Sequence, residues 1–319
     1  LWGCGGNMRP EFAADETRRY ATFVKAPAGT KILKVASGAN VDDYNWTETM
    51  MRVAGGNVDG LSLHYYTLPE GGWPPKADPV NFDEHGWADT LNEARRMDEL
   101  ITKHSAIMDK YDPEKKVFLA VDEWGSWYAQ DPGTHPGFLR QQNTLRDALI
   151  ASINLDIFAK HADRVRMTAI AQMVNVLQAM ILTDGNKMVL TPTYWVFDMY
   201  KPWQDATVLP IEIKSPWYSK DQFTMPAVSG SAVKAKDGKI HVGLSNLDPN
   251  QPNTVTIKLD GATAGAVTGK ILTAPAINSH NTFDAPGVVK PEAFSGAVVQ
   301  GGNLVVTLPA KSVVVLELQ

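Results

Sequence analysis

Cysteine is almost absent from this chain of 319 residues, in which Cys4 is the only one. A single cysteine excludes an internal disulfide and a zinc site built from several cysteines. The 7 histidines include no H-E-x-x-H pair, and no G-x-G-x-x-G or G-x-S-x-G motif occurs. We therefore expect neither a metal nor a cofactor, and the remaining candidate chemistry is that of carboxylates.

Long apolar runs and blocks of like charge are also missing. No apolar stretch approaches the ~20 residues of a membrane helix. Lysine and arginine number 30 against 35 acidic residues, a net charge of −5. This balance predicts no nucleic-acid partner and no membrane partner.

The first residues, Leu1–Asn7, lack an initiator methionine and the features of a signal peptide. We interpret the chain as the later part of a longer protein. The single cysteine fits a reducing compartment, but cytoplasmic, periplasmic and secreted bacterial locations all stay open, because no targeting segment is present in the chain as given.

Residues 1–202 alternate strand-like and helix-like stretches, which predicts parallel strands joined by crossover helices. Strands are expected near residues 32, 61, 116 and 165, and helices over 11–24, 42–53, 87–111, 145–159 and 193–200. A complete (β/α)8 barrel needs eight strands in ~250 residues. The pattern therefore predicts the C-terminal half of a TIM barrel.

Helical periodicity ends near residue 202. The Asp237–Gly238 pair predicts a hairpin turn between two short apolar runs, and Leu304–Leu308 with Ser312–Leu318 suggests a second hairpin. We expect residues 203–319 to form an antiparallel, jelly-roll-like β-sandwich. The predicted fold class is thus α/β plus all-β.

Two adjacent carboxyl groups follow the strand near residue 116. Asp122 and Glu123 would point to opposite sides if that strand continued. Trp124 and Trp127 come next, and a carboxylate between indole rings suits the oxocarbenium-like transition state of glycoside hydrolysis. The alternative interpretation is a structural carboxylate bonded to a helix N-terminus, with the tryptophans filling the core.

Polar and aromatic residues end two other strands. A tyrosine hydroxyl from Tyr65 or Tyr66 could orient a nucleophilic carboxylate, and His64 could bind sugar hydroxyls. Amides such as Gln172 and Asn175 suit hydroxyls because they both donate and accept. The alternatives are core packing for the first three and loop capping for the amides.

Four segments together carry a family resemblance: LWGCGGNMRPE at 1–11, SLHYY at 62–66, DEWGSWY at 122–128 and AQMVNV at 171–176. In this order and spacing, the chain resembles the α-L-arabinofuranosidases of glycoside hydrolase family 51. The resemblance implies a (β/α)8 barrel followed by a β-sandwich. It also implies retaining, exo-acting removal of terminal arabinofuranosyl groups from arabinoxylan, arabinan or their oligosaccharides.

The resemblance also implies roles for individual residues. The family's nucleophile corresponds to Glu123, and its nearby tyrosine to Tyr66, with Tyr65 as the alternative. The expected substrate-binding residues are His64, Tyr65, Trp127, Gln172 and Trp2.

The family's acid/base is the glutamate of a Gly-Asn-Glu run just before the Trp-Gly-Cys-Gly-Gly segment, so it is expected immediately before Leu1, outside this sequence. Glu11 and Glu16 are poor substitutes, because they are typical first-turn helix charges. We therefore expect this chain to be inactive alone and to need the N-terminal half of the barrel as a partner. The resemblance further suggests a homo-oligomer.

Two alternative functions remain. One is another retaining hydrolase of the same barrel type, such as a β-xylosidase or an endoglucanase. The other is a non-catalytic carbohydrate-binding protein, in which the aromatic surface only binds sugar.

Overall fold

The computed structural model describes residues 7–69, 76–258 and 266–318. Contacts divide the chain into two compact units. The first comprises the described parts of Leu1–Tyr66, Arg96–Trp124 and His161–Ile170, and the second those of Thr67–Arg95, Gly125–Lys160 and Ala171–Gln319.

A four-stranded sheet, whose spatial order follows the chain order, supports the first unit. Its strands are β1 (Val35–Asn40), β2 (Gly60–Thr67), β3 (Phe118–Ser126) and β4 (Val165–Ile170). The pairs β1–β2 and β3–β4 are parallel, as the alternating pattern predicts.

Two strand boundaries differ from the prediction. β1 begins at Val35 rather than near residue 32, because Leu33 is 57% exposed and the inward positions are Ala36 and Ala39. β3 continues past Val121 to Ser126, so that Asp122 and Glu123 lie within the strand.

The five α-helices of the described residues lie where the periodicity predicts them, within three residues at each end: α1 (Pro10–Ala21), α2 (Tyr44–Ala54), α3 (Glu84–Tyr111), α4 (Leu145–Lys160) and α5 (Pro192–Met199). Asp43 caps α2, since its carboxylate accepts a hydrogen bond from the amide of Trp46. None of the helices in the described ranges is long and apolar enough to cross a membrane.

Gly38 lets β1 approach β2 closely. A Cβ atom placed on Gly38 would lie 1.5 Å from the carbonyl oxygen of Ser62. The register of the β1–β2 pair shifts between Ala36 and Ala39, next to this contact. The close approach bears on the candidate site, because Ser62 begins the segment of β2 that carries the site residues.

The strands that follow β4 all belong to the second unit. The short hairpin sheets pair β5 (Ile181–Asp184) with β6 (Lys187–Leu190) and β8 (Trp217–Lys220) with β9 (Phe223–Pro226). The remaining strands are β7 (Thr207–Leu209), β10 (Val228–Lys234), β11 (Ile240–Asn246), β12 (Asn253–Lys258), β13 (Val267–Leu272), β14 (Glu292–Ala293), β15 (Ala297–Gln300), β16 (Asn303–Leu308) and β17 (Ser312–Leu318).

These strands form a six-stranded sheet, β14-β13-β17-β11-β10-β7, and a three-stranded sheet, β12-β16-β15. Apolar side chains of both sheets join one buried cluster, which includes Leu244, Leu316, Leu304 and Val306. Burial of these side chains against one another is the main force that holds a sandwich together.

The predicted hairpin around Asp237–Gly238 is present, whereas the prediction of a hairpin between residues 304–308 and 312–318 is wrong. β10 and β11 pair antiparallel across a turn in which Gly238 adopts a φ of 85°. β16 and β17 do not pair with each other, because β16 pairs with β12 and β15 whereas β17 pairs with β11 and β13. The short link between them, with Lys311 at a φ of 47°, carries the chain from one sheet to the other.

Candidate active site

Glu123 is one of two half-buried residues, with Asp122, in the otherwise buried strand β3. The four residues before Asp122 are buried, whereas the side chains of Asp122 and Glu123 are 30% and 28% exposed. The register of β3 against β4 shifts between Val121 and Trp124. Such an irregularity re-aims side chains, and both carboxylates contact the same histidine instead of pointing to opposite sides.

The hydroxyl of Tyr66, on β2, donates a hydrogen bond to Oε1 of Glu123 over 2.6 Å. Burial, together with the hydrogen bond to Glu123 and its negative charge, raises the pKa of Tyr66 well above the ordinary value. The phenol therefore stays protonated and remains a hydrogen-bond donor to the carboxylate at every ordinary pH.

His64 lies between the two carboxylates. Its Nδ1 is 2.7 Å from Oε2 of Glu123, and its Nε2 is 3.2 Å from Oδ1 of Asp122. The hydroxyl of Ser62 donates to the same Oδ1 over 2.6 Å. Both ring nitrogens of His64, which we expected to hold sugar hydroxyls, thus contact carboxylates of the protein.

Asp122 remains ionised at neutral pH. Burial is the largest influence and would raise its pKa, but hydrogen bonds from His64 and Ser62 and the charge of His64 outweigh it, so the pKa lies below the ordinary value. A carboxyl group with a lowered pKa is a poor proton donor at neutral pH.

Tyr65 does not reach the carboxylate pair. Its side chain is only 3% exposed, between the half-buried His64 and Tyr66. Since side chains alternate along a strand, it lies on the other face of β2, where the guanidinium of Arg96 is 5.9 Å from the ring centroid. Packing in the core replaces the expected contact with sugar.

Trp127, in the second unit, is half-buried just after β3. Its amide donates to the carbonyl oxygen of Thr67 over 3.1 Å, and the ammonium of Lys76 lies 3.9 Å from the centroid of its ring. Burial lowers the pKa of Lys76. Lys76 therefore covers one face of the indole, an arrangement with no sequence signal because the residues are far apart in the chain.

The other predicted residues are less informative. Gln172 is exposed and follows the end of β4. The side-chain amide of Asn175 donates to the hydroxyl of Thr183 on β5 and accepts from the backbone amide of the same residue. Trp2 and Cys4 lie outside the described residues.

Ser62 was not among the predicted site residues, and Asp122 was predicted only as the neighbour of the nucleophile. A signal for Ser62 was present, since Ser62, His64 and Tyr66 recur at the two-residue period that puts side chains on one face of a strand. Nothing local indicated that Asp122 would face the same histidine as Glu123.

Comparisons with known proteins agree on one family. The model of the alpha-L-arabinofuranosidase C-terminal domain matches residues 122–312. An intracellular exo-alpha-L-arabinofuranosidase of Bacteroides ovatus is 49% identical over 322 residues, covering 100% of this chain and 62% of that protein. The chain belongs to the α-L-arabinofuranosidases of glycoside hydrolase family 51.

Solved structures support the same assignment. The family 51 arabinofuranosidase from Xanthomonas axonopodis pv. citri matches with a TM-score of 0.98 at 63% identity, covering 100% of this chain and 64% of that one. The predicted fold class, part of a (β/α)8 barrel followed by a β-sandwich, is thereby confirmed. An arabinofuranosidase from Thermotoga maritima, at 23% identity and a TM-score of 0.79, shares the fold.

The chain spans less than two thirds of the length of these relatives, 62% and 64% respectively. Within the described ranges, no group of three or more His, Cys, Asp or Glu side chains is placed to hold a metal ion.

Proposed function

We propose that the natural protein carrying this chain is a retaining, exo-acting α-L-arabinofuranosidase that removes terminal arabinofuranosyl groups from arabinoxylan, arabinan or their oligosaccharides. The observation that carries the proposal is the carboxylate of Glu123, held on one oxygen by Tyr66 and on the other by His64. The relative from Bacteroides ovatus is named an exo-alpha-L-arabinofuranosidase, which supports the substrate class.

In the proposed reaction, a carboxylate oxygen of Glu123 attacks the anomeric carbon of the arabinofuranosyl group. The bond from that carbon to the leaving oxygen breaks, and the leaving oxygen takes a proton from a general acid. The same acid, now a base, then takes a proton from water. The oxygen of that water attacks the anomeric carbon and releases Glu123 with overall retention.

Asp122 is unsuited to act as the general acid. It is ionised, and its Oδ1 is engaged by Ser62 and His64. Retaining hydrolysis needs a second carboxyl group ~5–5.5 Å from the nucleophile. We place it in a part of the natural protein outside these 319 residues, in line with the greater length of the relatives.

Substrate contacts are assigned to Trp127, Gln172 and Trp2, the last outside the described residues. The exposed amide of Gln172 is suited to sugar hydroxyls, and the half-buried indole of Trp127 to a sugar ring. The Bacteroides relative is named intracellular, and we propose the same compartment here, whereas nothing supports a periplasmic or secreted location. A homo-oligomer without nucleic-acid or membrane partners completes the proposal.

The test is Glu123→Ala in the complete natural protein with an aryl α-L-arabinofuranoside. Turnover should fall by about 10⁴-fold or more, as for loss of other covalent nucleophiles. Added azide should restore part of it, since azide fits the space left by the carboxyl group and attacks the anomeric carbon in its place. The azide product should have the inverted, β configuration.

Glu114→Ala is the matched control, because Glu114 is an exposed glutamate whose carboxylate pairs with the exposed ammonium of Lys116. A panel of aryl glycosides separates the alternatives. Preference for a β-xyloside or a cellobioside would replace the arabinofuranosidase by another retaining hydrolase, and binding of arabinan without turnover of any glycoside would support a carbohydrate-binding protein.

A further inference from the structure

His64 is the central residue of a continuous chain of contacts in the first unit. The chain runs from the hydroxyl of Ser62 to Oδ1 of Asp122, from Oδ1 to Nε2 of His64, and from Nδ1 to Oε2 of Glu123, over 2.6, 3.2 and 2.7 Å. The side chain of His64 is 22% exposed, so water competes only partly for these contacts.

The number of protons on His64 follows from its neighbours. A neutral imidazole carries one N–H and one lone pair, so it can donate to only one of two carboxylates. Asp122 is ionised, and Glu123 must be ionised to act as a nucleophile. A ring nitrogen without a proton would place its lone pair against a carboxylate oxygen, which is repulsive. Both contacts are favourable only if both nitrogens carry protons.

The charges around the ring also favour a proton on both nitrogens of His64. The titratable groups that contact this cluster include Asp122 and Glu123 from β3 and Tyr66 from β2. Two carboxylates on either side of one ring stabilise a positive charge on it, and the neutral phenol of Tyr66 does not oppose that charge.

We propose that His64 is a positioning residue, held as an imidazolium between Asp122 and Glu123, and that Asp122 and Ser62 act on the nucleophile only through it. The proposal rests on the proposed function, in which Glu123 attacks the sugar. The cation orients the carboxylate, and it stabilises the negative charge that returns to Glu123 when water releases the sugar. His64 keeps both protons throughout, and no proton transfer is assigned to it.

This role differs from the one that the family resemblance suggests, a direct contact with the sugar. A positioning residue changes the rate of the chemical step, whereas a sugar contact changes binding of the sugar itself. The inhibition constant of free L-arabinose, measured beside kcat, separates the two roles.

The experiment uses the complete natural protein and the variants His64→Gln, Asp122→Asn, Asp122→Ala, Ser62→Ala and the double variant His64→Gln/Asp122→Asn. We expect kcat on an aryl α-L-arabinofuranoside to fall about 100-fold in His64→Gln, as for a misplaced reacting group. In Asp122→Asn it should fall about 10- to 100-fold, and in Ser62→Ala about 2- to 5-fold. The arabinose inhibition constant should stay within about twofold in all of them.

Two comparisons test the mechanism itself. Asp122→Asn keeps a hydrogen-bond acceptor but removes the charge, so it should be as impaired as Asp122→Ala. The double variant should be no slower than His64→Gln, because residues that act through one another are not additive. Asp42→Asn, which removes an exposed carboxylate paired with Arg96, is the control and should keep full kcat.

Three results would overturn the proposal: a near-normal kcat in Asp122→Asn, multiplicative losses in the double variant, or a tenfold weaker inhibition by arabinose in His64→Gln. Thermal unfolding of each variant separates failure to fold from loss of function, and Ser62→Ala, the mildest change, keeps the comparison usable if a stronger variant unfolds. Full activity of Glu123→Ala would instead reject the proposed function, so the two failures are distinguishable.

Discussion

The hydroxyl of Tyr66 and the carboxylate of Glu123 meet at 2.6 Å, although 57 residues separate them in the chain. The contact joins β2 to β3 at one of the two half-buried positions of β3. It leaves the phenol as a permanent hydrogen-bond donor to the proposed nucleophile.

Tyr66→Phe removes this hydrogen bond and little else. Because a hydrogen bond to a charged group contributes about 1.5–3 kcal/mol, we expect kcat on an aryl α-L-arabinofuranoside to fall about 10- to 150-fold. The control is Tyr20→Phe, since Tyr20 is 60% exposed on α1. Equal kinetics for the two variants would show that Tyr66 does not position the nucleophile.

Gly38→Ala should damage stability and activity together. The added Cβ would lie 1.5 Å from the backbone oxygen of Ser62, so β1 and β2 would have to separate at the strand that carries His64 and Tyr66. We expect a loss of about 3 kcal/mol or more in the free energy of unfolding. Denaturant unfolding measures it.

Gly56→Ala is the matched control for that substitution. A Cβ on Gly56 would meet no atom within 4 Å, and its φ is not positive. The free energy of unfolding should change by less than about 1 kcal/mol. A similar loss in both variants would mean that the contact with Ser62 is not the cause.

Asp156 should make the stability of the second unit depend on pH. Burial raises its pKa to about 7, against the opposing effect of hydrogen bonds from Ser231, Ser229 and Tyr200. The folded state then binds a proton that the unfolded state, with an ordinary pKa near 3.8, has lost. Stability should therefore fall as pH rises from about 4 to 7, and level off above 7.

Asp156→Asn removes the group that binds this proton, so the variant should lose this part of the pH dependence of stability. Thermal unfolding between pH 5 and 8 should show a smaller decline in Tm for the variant than for the wild type. Asp205→Asn, at an exposed carboxylate paired with Lys236, should keep the decline of the wild type. An unchanged decline in Asp156→Asn would show that this carboxyl group titrates outside the window.

Trp127→Leu tests the proposed sugar contact. The ammonium of Lys76 lies over one face of the indole, which limits stacking of a sugar ring on that face. Loss of an aromatic stacking partner of about 1–1.5 kcal/mol corresponds to a roughly 5- to 12-fold rise in KM. Steady-state kinetics on an aryl α-L-arabinofuranoside would measure it, and an unchanged KM would remove Trp127 from the binding site.

Part of the site could be read from local pattern. The nearly continuous apolar run 116–121 predicted a buried strand. The carboxylates after it predicted the reactive position, because reactive groups of such barrels lie at the C-terminal ends of the strands. The two-residue period of β2 separates His64 and Tyr66 from the buried Tyr65. That period was available in the sequence and would have excluded Tyr65 from the site.

The second predicted hairpin shows that the local sequence pattern does not predict which strands pair. β16 alternates between buried and more exposed positions, whereas β17 is buried at nearly every position. A short link joins the two strands, yet they belong to different sheets. Alternation specifies which face of a strand is buried, but it does not specify the neighbouring strand.

The sequence by itself determined the element order, the change from β/α to β structure, the family and the candidate nucleophile Glu123, because these depend on periodicity and on motifs in a set order. Only the tertiary structure decided that His64 contacts two carboxylates and that Asp122 turns towards it beside Glu123. These contacts join residues about 60 positions apart across neighbouring strands, and their geometry depends on a local shift in strand register that no short-range pattern encodes.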